Sequence, residues 1–322
     1  MNRFLVRQLR GYATKPYEVF NRATKIRQRE RAANLPQSEE VEYLRDEVAR
    51  RAIERLTFIK RDFPKVLNIG SGSGNLQKQL VEGEDEDTKM VNSKFSDWTM
   101  LDSSETMLNR WNDHQYNDML KVTKIVGDEE ELDHPDLKPE SFDAVLSNMS
   151  LHWVNDLPLT LKKINGLLKK DGLFLASMIS EDSVYELRTS LQLAESERRG
   201  GISARVSPLV TVNDISSLLK QSGFNLVTID VDEIVVGYPD LFAILEDLQL
   251  MGEQNATNTL VSALPRDLLL ATQAIYKVFH GDSDGSLPLT YRVLFMIGWK
   301  ASETQPKPLD RGSGEFSLKD VL

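Results

Sequence analysis

The stretch VLNIGSGSGNLQKQLV, residues 66–81, decides the fold. Residues 66–69 form a short apolar run of strand character, which ends in Gly70-Ser71-Gly72-Ser73-Gly74 before helical spacing takes over at Leu76, Leu80 and Val81. A strand, a glycine turn and a helix in that order begin a parallel α/β unit. The glycines stand as GxGxG, with the third one residue too early for the GxGxxG that places a pyrophosphate on a helix N-terminus. This spacing favours a nucleoside-sized ligand passing over bare backbone.

Working outward, strand and helix continue to alternate. Residues 98–101 read as the second strand, closed by Asp102, with Ser103 or Ser104 capping a helix through Met107, Leu108 and Trp111. The third strand, 122–126, precedes an acidic loop at 128–133; the fourth is 142–147 and the fifth 173–179, after a turn at Asp171-Gly172. Asp156 caps the intervening helix, whose inner face is Leu157, Leu161, Ile164 and Leu168. Residues 82–97, with the acidic run at 82–87, read as a solvated loop. Val184, Leu187, Leu191 and Ala194 form a helical stripe in an insertion expected over the C-terminal strand ends. Beyond it come a helix through Ile215, Leu218 and Leu219, an extended run at 224–236, helices near 242–250 and 268–279, and a last strand at 291–299. The expected fold is α/β: a seven-stranded, mostly parallel sheet with helices on both faces.

Before the sheet, Ser38 is a plausible N-cap for an amphipathic helix through Val41, Leu44, Val48, Ala52, Leu56 and Ile59. Arg22, Lys25, Arg27, Arg29 and Arg31 make a charged segment that reads as a solvated helix end or a docking arm. The first seventeen residues interleave Arg3, Arg7, Arg10 and Lys15 with apolar positions and carry no acid, the pattern of a mitochondrial transit peptide. Arg10-Gly11-Tyr12 before Ala13 reads as a processing site, and cleavage there would take the net charge of −10 to −13 (−10 − 3). The expected organisation is presequence 1–17, helical arm 18–62, cofactor-binding core 63–180, helical insertion with the remaining strands 181–300, and an irregular tail 301–322.

Among 322 residues there is no cysteine, which excludes disulfides, thiolate metal sites and a cysteine nucleophile. The negative charge disfavours nucleic acid as a partner. No run approaches the roughly 18 apolar residues of a membrane-spanning helix, so any membrane association is expected to be peripheral.

Ligands of open α/β sheets bind at the C-terminal strand ends, where the glycine loop, Asp102 and Asp128 all fall. Asp102 suits both ribose hydroxyls, Asp128 and Glu129 suit the exocyclic amine of adenine, and Ser103 adjoins them. Asn148 ends strand four and is expected to face the reacting centre. Together these point to S-adenosyl-L-methionine. This pattern resembles the class I methyltransferase-like Rossmann fold, which usually carries an acid where this chain has Asn68 inside strand one. The amide keeps hydrogen bonding and loses the charge that would attract the cofactor's ammonium and sulfonium.

SLHWVNDLP, residues 150–158, leads out of strand four. His152 is a candidate general base and Trp153 a candidate wall for the sulfonium or a cationic substrate, against the plainer alternative that both only pack the loop. His134/Asp136 and His280/Asp282 each offer half of an iron triad but lack its β-helix scaffold and read as incidental. No metal-ligand set is expected, and no redox centre is legible.

SLHWVNDLP, YELRTSLQLAE at 185–195, Glu197-Arg198, Gly200-Gly201, Ser207-Pro208, VND at 212–214, EDLQ at 246–249, MGE at 251–253, MIGWK at 296–300 and Arg311-Gly312-Ser313 follow an order that resembles the mitochondrial complex I assembly factor 5 family of arginine hydroxylases. The resemblance implies a matrix protein peripheral to the inner membrane, acting on an iron–sulfur subunit of complex I with a small twin-cysteine assembly factor. Glu186, Glu195, Glu197, Asp247 and Glu253 are the carboxylates proposed to grip the substrate guanidinium, the alternative being that Glu186 and Glu195 pair with Arg188 and Arg198 on helix faces. A methyltransferase acting on a protein or small molecule, with His152 as base, and a non-catalytic assembly chaperone are the competing readings.

Overall fold

The computed structural model describes residues 18–259, 263–307, 312 and 313. The expected transit peptide therefore lies outside the described residues. The chain opens with α1 (Arg22–Ala33), α2 (Tyr43–Thr57), β1 (Phe63–Ile69), α3 (Asn75–Glu82), α4 (Glu86–Ser93) and β2 (Phe95–Asp102). It continues through α5 (Glu105–Asn109), α6 (Tyr116–Met119), β3 (Val122–Val126), β4 (Phe142–Asn148), α7 (Leu157–Leu167) and β5 (Leu168–Ile179). The last third holds α8 (Tyr185–Arg199), α9 (Val212–Gln221), β6 (Phe224–Tyr238), α10 (Leu241–Leu250), α11 (Arg266–His280) and β7 (Leu287–Lys300).

The strands form one sheet in the order β3-β2-β1-β4-β5-β7-β6. Neighbours from β3 to β5 are parallel, while β7 runs antiparallel between β5 and β6. Both faces are covered, so the inner strands alternate between two cores rather than between core and water. Val66, Ala144, Leu146, Leu173 and Leu175 belong to the core that includes α2 and α3, whereas Leu67, Ile69, Val145, Phe174 and Ala176 belong to the core under α7 and α9. Connections diverge to opposite sides of the sheet between β1 and β4, which opens the crevice at their C-terminal ends.

Several local expectations give way to tertiary context. Ser38 does not cap α2: it lies in a 3-10 turn, Pro36–Glu39, and its hydroxyl donates to the Ala32 carbonyl at 2.6 Å. The acidic stretch after residue 82 is not all loop, because the Asp85 side chain accepts the Thr88 N–H at 2.7 Å and so starts α4. Ser104, not Ser103, caps α5, which stops before Trp111. The basic arm is no solvated end either: α1 packs on the strand-end crevice with Lys25, Arg29 and Ala32 buried.

Gly70 and Gly74 are required by close approach as well as by positive φ, 60° and 97°. A Cβ on Gly70 would fall 1.9 Å from the Ser150 hydroxyl oxygen, and one on Gly74 would fall 2.8 Å from the Tyr116 hydroxyl. Left-handed backbone costs an L-residue about 1–2 kcal/mol, and overpacking adds a similar amount. Gly70→Ala is accordingly expected to lower stability by about 2–3 kcal/mol, checked by urea unfolding with an unchanged slope.

Candidate functional site

The crevice at the ends of β1, β2 and β3 is built around two buried carboxylates. Asp102, the last residue of β2, accepts the Ser104 N–H on Oδ1 and the Gly72 N–H on Oδ2, each at 2.8 Å. Its third partner is Arg29, whose Nη2 reaches Oδ2 at 2.8 Å. Glu129, in the loop after β3, accepts from the Ser103 hydroxyl at 3.1 Å and from Arg29 Nη1 at 3.3 Å, and also pairs with Arg22. Asp128 stands at the rim, taking Arg22 Nη2 at 2.9 Å. Of the two acids proposed for the adenine side, Glu129 is therefore the inward one and Asp128 the partly exposed one.

Arg22, Lys25 and Arg29 are three and four residues apart, so one face of α1 carries all three cations into the protein. Burial, opposed by Arg29 and reinforced by Glu129, pushes the Asp102 carboxyl above its ordinary range. Burial also works against the Glu129 charge, but Arg22 and Arg29 outweigh it and hold that carboxyl below the ordinary range.

Only one of the three glycines opens toward a ligand position. Where a Cβ on Gly72 would stand, the sole neighbour within 4 Å among the described residues is Arg29 Nη2, at 3.8 Å. Among the described residues the Ser71 hydroxyl and Asn68 Oδ1 are buried without a hydrogen-bond partner, while Asn68 Nδ2 donates to Gln77 Oε1 at 3.2 Å. A buried carboxylate, bare backbone at Gly72 and two unpartnered oxygens fit a ligand with vicinal hydroxyls, provided the Arg29 guanidinium withdraws from Asp102.

A second cluster lies after β4. His152 and Trp153 sit in a single 3-10 turn, Leu151–Trp153, and the Trp153 Nε1 donates to Glu253 Oε2 at 2.6 Å. His152 Nε2 lies 3.4 Å from that oxygen, and Arg45 Nη2 donates to Glu253 Oε1 at 2.7 Å. His152 Nδ1 is buried and has no hydrogen-bond partner among the described residues. Burial opposes the Glu253 charge, yet His152, Lys25 and Arg45 together hold its carboxyl well below the ordinary range. Beside this cluster is a cavity of about 580 Å³ whose walls include Met149, His152, Trp153, Leu187, Leu248 and Glu253. It lies beneath the helical insertion, is mostly apolar, and is of a size that takes a small molecule or a long side chain.

Other expected site residues are engaged elsewhere. Asn148 does end β4, but Ser177 donates to its Oδ1 at 2.8 Å and its Nδ2 donates to the Arg45 carbonyl at 3.2 Å, so the amide is committed to holding the turn. Of the five carboxylates proposed for the guanidinium, only Glu253 lines the cavity. Glu186 accepts from Thr290, Glu195 from Arg205 and the Ser203 N–H, each of the latter at 2.7 Å, and Asp247 from the Tyr43 hydroxyl at 2.9 Å. Arg188 and Arg198 are thus not the partners of Glu186 and Glu195; Glu197, at the surface, is the one near Arg198, at 3.7 Å. His134 faces Asp136 at the surface, and His280 meets the Thr189 hydroxyl oxygen at 2.9 Å. Among the described residues no cluster of acidic or imidazole side chains is arranged to hold a metal ion.

Sequence reasoning missed the inward roles of Arg22, Lys25, Arg29 and Arg45. The signal was present for the first three, since cations at i, i+3 and i+7 share a helix face; Arg45 stood among the charged positions of an otherwise regular amphipathic helix.

Residues 41–229 match the model of a methyltransferase domain. The YcgJ protein of Bacillus subtilis superposes with a TM-score of 0.51 at 13% identity, covering 79% of this chain and 99% of its own, which concerns the fold. The mitochondrial arginine-hydroxylase NDUFAF5 of Rattus norvegicus is 40% identical over 303 residues, spanning 94% of this chain and 83% of its own. Its counterpart in Dictyostelium discoideum is 36% identical over 92% of this chain and 68% of its own. With a seven-stranded methyltransferase-type sheet, a glycine loop over Asp102 and identity of this extent along nearly its whole length, the chain belongs to the arginine-hydroxylase NDUFAF5 family.

Proposed function

We propose that this protein is a mitochondrial arginine hydroxylase that acts on an iron–sulfur subunit of respiratory complex I during assembly. The observation that carries the reading is 40% identity, over 94% of the chain, to relatives named as mitochondrial arginine-hydroxylases. On this reading it works in the matrix, peripheral to the inner membrane, with a small twin-cysteine assembly factor as partner. Asp102 would hold the ribose of S-adenosyl-L-methionine, Glu129 would face the adenine, and Gly72 would leave room for the chain between them. When bound, that cofactor supplies a sulfonium centre. Asn68 gives the crevice no negative charge to attract it, so recognition rests on Asp102 and Glu129. His152 and Trp153 line the neighbouring cavity, where the substrate side chain is to be seated and kept from water.

Mass spectrometry of the complex I iron–sulfur subunits from cells lacking the protein tests this. The expected result is loss of an arginine one oxygen heavier than normal. Loss of a methyl group would mean a methyltransferase, and unchanged modification with failed assembly would mean a chaperone.

A further inference from the structure

On the reading that a protein arginine is the substrate, we propose that the seat formed by the Trp153 ring, the Glu253 carboxylate and the carbonyls of Gly252 and Gln254 is the guanidinium subsite, held in this structure by Lys25 as an internal occupant.

The Lys25 ammonium lies 3.4 Å from the centroid of the Trp153 ring. It donates to the Gly252 carbonyl at 3.0 Å and to the Gln254 carbonyl at 2.7 Å. An aromatic face, converging carbonyl oxygens and a nearby carboxylate recognise a cation, and a planar guanidinium exploits them better than an ammonium because it stacks on the ring while donating in its own plane. The ring is fixed in advance: its Nε1 is bonded to Glu253, and Phe20 packs edge-on with centroids 5.2 Å apart. Trp153, Glu253 and Gln254 also wall the cavity, so a side chain entering there meets the seat, with Leu187 and Leu248 available to its aliphatic stem.

Lys25 is the removable party. The helix that carries it buries a single apolar side chain, Ala32, and is attached mainly by polar contacts, including Gln28 to the Asn255 carbonyl at 3.1 Å and Glu30 to the Ser104 hydroxyl at 2.8 Å. Burial lowers the Lys25 ammonium to about 7; Glu253 opposes this, and Arg29, Arg45 and Arg22 add to it. A substrate guanidinium keeps its charge under the same conditions and displaces the amine.

The test measures calorimetric binding of a blocked Gly-Arg-Gly peptide, with Gly-Gln-Gly as control, to the full chain and to Lys25→Met, Lys25→Arg and Trp153→Leu. Lys25→Met is expected to bind the arginine peptide about 10-fold tighter, and Lys25→Arg about 10-fold weaker, since a permanent cation then fills the seat. Wild-type affinity should rise as pH increases through about 7, a dependence that Lys25→Met lacks. Trp153→Leu should lose the preference for arginine over glutamine. If both Lys25 variants bind like wild type, or no variant prefers arginine, the subsite is overturned. Cellular hydroxylation is scored separately: an oxygen still added to the subunit, with unchanged peptide affinities, removes this subsite and leaves the activity standing. An absent oxygen with the expected affinity order removes the activity and leaves the subsite.

Discussion

Asp102→Ala is expected to lower affinity for S-adenosyl-L-methionine by about 100-fold or more, measured by calorimetry. A hydrogen bond to a charged group is worth about 1.5–3 kcal/mol, and on the proposed reading, in which Asp102 serves two ribose hydroxyls, its loss removes two of them. The Gly72 and Ser104 N–H groups already orient the carboxylate, and the Arg29 ion pair that the cofactor must break is absent from the variant, which offsets part of the loss and sets the expected effect at the lower end of that range. Arg29→Met separates binding from folding. It frees Asp102 Oδ2 from its 2.8 Å ion pair, so cofactor binding should tighten while the protein becomes less stable, because Asp102 is then buried beside Glu129 with one fewer countercharge. Equal cofactor affinity in wild type and Asp102→Ala would show that the nucleoside binds elsewhere or not at all.

Glu253→Ala should cost about 3–5 kcal/mol of folding stability, the usual consequence of removing one partner from a buried ion cluster. Lys25 and Arg45 are both buried, and without Glu253 the Arg45 guanidinium retains Glu42 at 3.6 Å while Lys25 keeps only neutral oxygens and the Trp153 ring. Trp153 Nε1 also loses its acceptor. The pH dependence has a definite sign. Glu253 has a folded-state pKa well below the ordinary 4.5, so its contribution is fully present above about 4.5 and disappears as pH falls toward the folded value. Urea unfolding at several pH values should therefore find the gap between wild type and Glu253→Ala widening as pH falls through about 7, where Lys25 gains its charge beside Glu253, and narrowing again in acid below about 4.5. A gap that stays constant in acid would mean that shape, and not charge, is what Glu253 contributes.

The glycine loop, the five parallel strands, Asp102 and the Asp156 cap are legible along the chain because each depends on neighbours within one turn or one pleat. Asp156, for instance, accepts the Leu159 N–H at 3.0 Å, a contact written entirely in local spacing. Asn148 shows the limit. Its place at the end of β4 follows from the strand pattern, but its amide is consumed by Ser177 and Arg45, neither of which strand periodicity can pair with it.

What the sequence determined by itself is therefore the order of layers and the edge at which a ligand must enter, since hydrophobic period and turn chemistry are local and directional. What only the tertiary structure decided is what each charge meets: Arg29 the Asp102 carboxylate across 73 residues and Lys25 the Gln254 carbonyl across 229. A charge carries no periodic signature of its partner, and burial, which turns such a pairing from a surface accident into a constraint, exists only once the chain has closed around it.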